Sequence, residues 1–193
     1  TVVNFSYKEN KEDSRKIQEL FEKLYLLPVP TISFVHGASI GGANGIIAAC
    51  DVVLAENKSQ FRFSEVRIGL VPATVAPYII NRTGEHAAKY YMLTGKKFHI
   101  NDALRIGLVD SVGTMESLHT ELDLILNEFS KNSPEAMKQT KKLITSMSRT
   151  FYTEEVKELT LDTIARARMS EEGQEGMKAF LDKRNPSWQQ NKP

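Results

Sequence analysis

The chain has 193 residues, a length that suits one domain, or one domain with an appendage, and that can bury a sizeable core. Its 25 Lys and Arg residues nearly balance its 24 Asp and Glu residues, and a net charge of +1 argues against a dedicated nucleic-acid binder. The single cysteine, Cys50, excludes an intrachain disulfide and a zinc site built on several cysteines, and no apolar run approaches the length of a membrane span. We therefore expect a soluble α/β protein of the cytoplasm, with neither a nucleic-acid nor a membrane partner.

The first half of the chain predicts short strands between helices. Apolar residues at helical spacing indicate the helices, and β-branched or aromatic runs indicate the strands. In chain order, the predicted elements are a helix at 13–25, a strand at 31–35, a small-residue turn at 36–42, a buried helix at 43–50, and strands at 51–54 and 60–64.

The second half is mostly helical. Its predicted elements are helices at 75–81 and 85–93, a helix that begins at Asn101, a strand at 108–112, and helices at 115–130, 134–147, 152–169 and 171–183. The layout is an α/β core over residues 1–112 followed by a helical region over 113–193. Three or four strands are fewer than the five or six that are usual for a parallel sheet covered by helices. We therefore expect either a small fold or one whose N-terminal part is missing.

The turn at Gly41 and Gly42 is the first candidate site. It lies where the buried helix begins, so its backbone N–H groups have no partner within the helix and the helix dipole adds positive potential. Such a turn can hold an anion, or a carbonyl oxygen that gains negative charge during a reaction. The alternative is that small residues only let this helix pack closely on the sheet.

Glu65 is the second candidate. It follows an alternating apolar segment, and a carboxyl at the end of a strand can be partly buried, so that its pKa rises and it serves as a general acid or base. The alternative is a solvated glutamate, or one that pairs with Arg62 or Arg67. The four histidines lack metal-ligand spacing, so we predict no metal site, and we expect Asp51 to form structural hydrogen bonds.

Residues 30–112 resemble the enoyl-CoA hydratase/isomerase (crotonase) family. The resemblance rests on the order and spacing of several segments. These are His36-Gly37-Ala38-Ser39-Ile40-Gly41-Gly42, Ser64-Glu65-Val66-Arg67-Ile68-Gly69-Leu70-Val71-Pro72, and residues 48–55, 93–95, 103–109 and 175–184.

The resemblance implies a fold, a chemistry and site residues. The fold would be the crotonase-like ββα spiral core shared with the Clp peptidases, with C-terminal helices that build a homotrimer or a dimer of trimers. The chemistry would be addition of water to an α,β-unsaturated acyl-CoA thioester, with coenzyme A as part of the substrate and no separate cofactor. Gly42 matches a backbone donor to the thioester oxyanion, and Glu65 matches a catalytic glutamate. The implied substrate and CoA contacts are Ala38, Gly41, Phe180 and Lys183.

Two departures from the family pattern leave alternatives open. A second family glutamate falls at Gly45, which has no side chain, so an enoyl-CoA isomerase with one glutamate is an alternative. The family's first strands and its Ala-Gly-Ala-Asp-like segment, which supplies the other oxyanion donor, are absent. We therefore expect an N-terminally truncated chain with impaired activity, or a non-catalytic acyl-CoA binder or scaffold.

Two finer interpretations concern particular segments. The segment Ser64 to Pro77 looks most like the methylglutaconyl-CoA hydratase branch, which implies a role in leucine degradation within acyl-CoA and fatty acid metabolism. The segment around Ser39 also looks like the nucleophile turn of the Clp peptidases. A serine hydrolase would need a histidine base and an orienting carboxylate beside that serine.

Overall fold

The structure, a computed structural model, describes residues 4–147 and 153–190. In chain order the elements are α1 (Tyr7–Tyr25), β1 (Ile32–Val35), β2 (Ala38–Ile40), α2 (Ala43–Ala49), β3 (Val52–Glu56), β4 (Gln60–Arg62), a short 3-10 helix (Glu65–Ile68), α3 (Ala76–Thr94), β5 (Phe98–His99), α4 (Ile100–Arg105), β6 (Ser111–Gly113), α5 (Met115–Ser130), α6 (Pro134–Met147), α7 (Glu154–Met169), α8 (Glu171–Leu181) and α9 (Ser187–Gln190). We call the segment from Glu65 to Gly69 the Glu65 turn.

Two three-stranded sheets form the centre of the fold. The first has the order β1-β3-β6 with all strands parallel, and Ile32 is opposite Val52 in its register. The second has the order β2-β4-β5, in which β2 and β4 are parallel and β5 is antiparallel. Because β2 and β4 run side by side in the same direction, the segments that follow them, the Gly41–Gly42 turn and the Glu65 turn, lie at the same sheet edge.

Aromatic side chains fill the core behind the second sheet. Phe61 and Phe63 alternate with the half-buried Arg62, as the sequence pattern predicts, and both are almost fully buried. Their rings stack on Phe98, which also contacts Tyr91 of α3. These contacts fix β4, and with it the start of the Glu65 turn, against α3.

Helix α1 begins earlier than the sequence predicts. The apolar spacing that marks it starts only at Ile17, whereas the helix starts at Tyr7 because Ser6 caps it. The Ser6 hydroxyl accepts from the N–H of Glu9, and the Glu9 carboxylate accepts from the N–H of Ser6. This capping box satisfies two of the orphan donors of the first turn.

Two strands differ from the predictions, whereas the predicted break between two helices is present. The segment 36–42, predicted as a turn, contains β2, and the sequence analysis missed β5, because both strands are very short. The helices predicted at 75–81 and 85–93 are present as the two parts of α3, which are separated by a kink at Gly84, whose φ of 79° is not helical. The predicted start of α7 at residue 152 lies outside the described residues, and its described part begins at Glu154.

Helix α7 packs along α1, so the expected core and the expected helical region contact each other. Lys11 pairs with Glu158 and Asp162, and Arg168 pairs with Asp13. None of the helices in the described segments is both long enough and apolar enough to cross a membrane.

Candidate active site

The Gly41–Gly42 turn joins β2 to α2. Gly41 has a φ of 59°, a left-handed conformation that glycine adopts without strain, and its N–H donates to the carbonyl of Arg62 at 2.9 Å. This bond continues the β2–β4 ladder to the first residue of the turn. Gly42 then caps α2, with its carbonyl accepting from the N–H of Gly45.

The N–H of Gly42 has no hydrogen-bond acceptor among the described residues. Gly42 is exposed, and a Cβ added to it would meet no atom within 4 Å. A ligand atom can therefore approach this amide closely. The free donor at a helix start, which the sequence predicts, is present in the structure.

Glu65 is the first residue of the 3-10 helix rather than the end of a strand, because β4 ends at Arg62. Its carboxyl lies beside the glycine turn: a Cβ added to Gly41 would be 3.4 Å from Oε1 of Glu65. The structure thus brings together Glu65 and the turn that carries the free Gly42 amide. The other carboxyl oxygen, Oε2, is buried and has no hydrogen-bond partner in the described segments.

Burial raises the pKa of the Glu65 carboxyl above its ordinary value, and a hydrogen bond from its own N–H offsets part of this effect. No ion pair of Glu65 occurs among the described residues. The alternative of a pair with Arg62 or Arg67 is wrong, because the Nε atoms of both arginines donate to the carbonyl of Gly95 at 2.8 Å. A half-buried, unpaired carboxyl with a raised pKa suits a group that takes up and returns a proton.

The raised pKa of Glu65 predicts a pH-dependent stability. Between the ordinary pKa of a glutamate and the raised one, the folded chain binds a proton that the unfolded chain has released, so this residue lowers stability as pH rises. Glu65→Gln removes that effect. We expect the melting temperature of the variant, relative to wild type, to increase from about pH 4 to about pH 8, as measured by thermal unfolding. A difference that is constant over this range would contradict the assignment.

A second catalytic glutamate would fall at Gly45, but apolar side chains fill the space that its side chain would need. A Cβ at this position would lie 2.7 Å from Cζ of Phe21 and 2.9 Å from Cγ1 of Val75. Phe21 belongs to α1 and is buried. The place of a second carboxylate on α2 is therefore filled by the ring of Phe21.

The close approach of Phe21 to Gly45 predicts a destabilising Gly45→Ala substitution. Overpacking costs about 1–3 kcal/mol, whereas the better helix propensity of alanine returns at most about 1 kcal/mol. Chemical denaturation should show a net loss in wild type, and the loss should be smaller in a Phe21→Leu background, where the close contact with Val75 remains. An equal effect in both backgrounds would show that the ring does not restrict this position.

Ser39 is not placed as a hydrolase nucleophile. It is 4% exposed, and its hydroxyl donates to Oδ1 of Asn44 at 2.8 Å. Asn44 in turn donates to the carbonyl of Arg62, so both side chains tie α2 to the second sheet. No histidine is hydrogen-bonded to Ser39 in the described residues. The alternative of a serine hydrolase therefore lacks its base.

The other predicted contact residues are exposed. Ala38 is the first residue of β2, and the Gly41–Gly42 turn follows the last residue of that strand. Phe180, near the end of α8, is 68% exposed, and Lys183 follows α8 with a φ of 54°. Their expected contacts with CoA stay predictions.

Asp51 forms the structural hydrogen bonds that the sequence predicts. Its carboxylate accepts from the N–H and the hydroxyl of Thr31 and pairs with Lys141 at 2.6 Å. A cavity of about 570 Å³ lies between Asp51 and α6, and Tyr25, Val52 and Met137 line its wall. None of the candidate site residues lines this cavity.

Sequence reasoning missed three residues that shape the site. Phe21 closes the face of α2 at Gly45, and Gly69 and Gly176 let α8 pack on the Glu65 turn. The two glycines of α8, Gly173 and Gly176, could have indicated that this helix packs closely against a neighbour. The partner of that contact, more than 100 positions earlier in the chain, has no sequence signal.

Comparisons with known proteins show the family to which the chain belongs. The model of the enoyl-CoA hydratase/isomerase family matches residues 2–191. A relative from Thermus thermophilus is 30% identical over 96% of this chain and 73% of its own length. Enoyl-CoA hydratase domain-containing protein 3, mitochondrial, from Xenopus laevis is 30% identical over 90% of this chain and 58% of its own length.

Solved structures are similar in fold. The crystal structure of an enoyl-CoA hydratase from Mycobacterium avium is 30% identical, with a TM-score of 0.86, over 94% of this chain and 71% of that one. An enoyl-CoA hydratase from Shewanella pealeana is 34% identical, with a TM-score of 0.74, over 97% of this chain and 70% of that one. The expected crotonase-like α/β fold, with a helical C-terminal region, is confirmed. The chain belongs to the enoyl-CoA hydratase/isomerase family.

Proposed function

We propose that this chain adds water to an α,β-unsaturated acyl-CoA thioester. The N–H of Gly42 stabilises the negative charge that develops on the thioester oxygen, and Glu65 moves the proton. One observation carries the proposal: an unpaired, partly buried carboxyl lies against Gly41, next to a backbone donor that has no acceptor among the described residues.

The steps of the proposed reaction use one carboxylate. Glu65 takes a proton from a water molecule while the oxygen of that water bonds to the β-carbon of the substrate. The electron pair of the double bond then moves through the α-carbon to the thioester oxygen. The resulting enolate is held by the Gly42 amide. Glu65 then returns a proton to the α-carbon, which restores the thioester. Atoms balance, because the product is the substrate plus one water.

Isomerisation is the second candidate, and the closed space at Gly45 favours it. Two carboxylates can hold a water between them, but Phe21 and Val75 occupy the second position here. A single Glu65 can remove the α-proton of a 3-enoyl-CoA and return it to the γ-carbon, which shifts the double bond without water. The same Gly42 amide would hold the enolate.

Product analysis distinguishes the two reactions. Crotonyl-CoA and 3-hexenoyl-CoA are incubated separately with the chain, and the products are separated by chromatography. The proposal expects 3-hydroxybutyryl-CoA from the first substrate. A shifted double bond in 3-hexenoyl-CoA, without hydration of crotonyl-CoA, supports the isomerase. CoA binding by titration calorimetry without either product supports a non-catalytic binder and contradicts the proposal.

The acyl group, the assembly and the location are finer proposals. We propose a branched glutaconyl-type acyl group, on the resemblance of the segment from Ser64 to Pro77, and methylglutaconyl-CoA hydration tests it. Exposed apolar side chains on the C-terminal helices, such as Leu143 and Leu159, support a homotrimer or a dimer of trimers. In that assembly Phe180 and Lys183 would meet CoA, with Lys183 as a point charge for a phosphate. The proposed location is the cytoplasm.

A further inference from the structure

Helix α8 packs on the Glu65 turn with its backbone. A Cβ added to Gly176 would lie 2.2 Å from the carbonyl oxygen of Ile68, a distance that real side chains do not show. From the other side, a Cβ added to Gly69 would lie 2.4 Å from the carbonyl oxygen of Glu172. Both glycines are therefore required for this approach, and Gly69 also needs its φ of 67°.

The first turn of α8 is held against the end of α7. Ser170 ends α7 and caps α8, since its hydroxyl accepts from the N–H of Gly173 at 3.1 Å. A Cβ on Gly173 would lie 1.9 Å from the carbonyl oxygen of Ala167, so the two helices also meet backbone to backbone. Gln174 adds a hydrogen bond to the carbonyl of Arg168 at 2.7 Å. Helix α8 thus has little freedom to move away from α7.

Helix α7 also connects α8, through α1, to α2, the helix that follows the Gly41–Gly42 turn. Helix α7 is joined to α1 by ion pairs and by the hydrogen bond of Gln18 to Thr160 at 2.8 Å. Helix α1 places the ring of Phe21 on Gly45 of α2, the helix that Gly42 caps. One unit, α1–α7–α8, therefore touches both α2 and the Glu65 turn.

We propose that Gly176 is a positioning residue: by letting α8 rest on the backbone of the Glu65 turn, it holds the Glu65 carboxyl against Gly41 and keeps that carboxyl partly shielded from bulk solvent. The inference rests on the proposed function for what Glu65 does, but not for where Glu65 lies. The atoms nearest to a Cβ on Gly176 are backbone atoms of Ile68, so Gly176 acts on Glu65 through the turn.

The electrostatic surroundings of Glu65 make this contact measurable. The charged residues of α8 are Glu171, Glu172, Glu175 and Lys178, and the turn itself carries Arg67. None of them is a cause of the raised pKa of Glu65, which is due to burial. Moving α8 away should therefore lower this pKa by admitting water, without a competing change in charge.

The test compares Gly176→Ala with Lys178→Ala. Both variants place alanine in α8, but Lys178 is exposed and lies off the contact. The carboxyl of Glu65 is titrated by carbon NMR, with Glu65→Gln to assign its signal. Hydrogen exchange is measured at the turn amides of Arg67 and Leu70, which donate to the carbonyls of Ser64 and Glu65.

The expected result is specific to Gly176→Ala. The pKa of Glu65 should fall toward the ordinary glutamate value, and exchange of the two turn amides should accelerate about tenfold or more, whereas Lys178→Ala should match wild type. Turnover of an acyl-CoA should lose kcat with little change in KM. If Gly176→Ala does not fold, Met177→Ala, which removes a buried side chain from the same helix, is measured in its place.

Two results separate the possible failures. A folded Gly176→Ala variant with an unchanged Glu65 titration and unchanged turn exchange would overturn the positioning role, whatever the activity. A wild-type chain that converts no acyl-CoA would instead refute the proposed function. In that case the titration would still decide whether α8 sets the position of Glu65.

Discussion

Glu65→Gln is expected to lower the rate of acyl-CoA conversion by about 10²- to 10⁴-fold, the usual contribution of a general acid or base. The amide keeps the shape of the side chain but cannot take up a proton at neutral pH. Single-turnover measurements with protein in excess give the rate even if wild-type turnover is slow. Calorimetric titration with CoA should show unchanged affinity, because Glu65 acts on the acyl group.

The matched control for this substitution is Glu85→Gln. Glu85 is exposed on α3, where it pairs with Lys89. This variant should convert substrate at the wild-type rate. If Glu65→Gln also retained that rate, Glu65 would not be the residue that moves the proton.

Gly42→Pro is expected to reduce the rate by about 10²- to 10³-fold, the typical effect of losing one oxyanion donor. Proline has no N–H, and its fixed φ is close to the −56° of Gly42, so the start of α2 should persist. The melting temperature of the variant checks that the fold is kept.

Gly42→Ala is the control that retains the amide. A Cβ at Gly42 meets no atom within 4 Å, so alanine fits the folded chain. We expect this variant to be much more active than Gly42→Pro. Equal activity of the two variants would mean that the N–H of Gly42 does not hold the thioester oxygen.

Local sequence features predicted the two central parts of the candidate site. A strand followed by small residues and a buried apolar segment placed Gly42 at the start of α2, where a helix always leaves free donors. The alternation of Phe61, Arg62 and Phe63 placed Glu65 just beyond a strand. That the two segments are neighbours depends on the pairing of β2 with β4, which no local pattern indicates. The family resemblance implied only that Gly42 and Glu65 belong to one site.

The surroundings of the site could not be predicted in the same way. Phe21 is one apolar residue of an amphipathic helix, and nothing in its sequence indicates that its ring rests on Gly45. The contact of α8 with the Glu65 turn joins residues more than 100 positions apart through backbone atoms, which leave no side-chain pattern. The short strands β2 and β5 were missed because two or three residues are too few to show alternation.

The most direct test of the account is a crystal structure with a saturated or otherwise unreactive acyl-CoA bound. We expect the thioester oxygen to lie within about 2.7–3.1 Å of the Gly42 nitrogen, with the Glu65 carboxyl facing the α- and β-carbons of the acyl group. A thioester bound elsewhere, for example in the cavity beside α6, or a Glu65 carboxyl turned away from the acyl group, would contradict it.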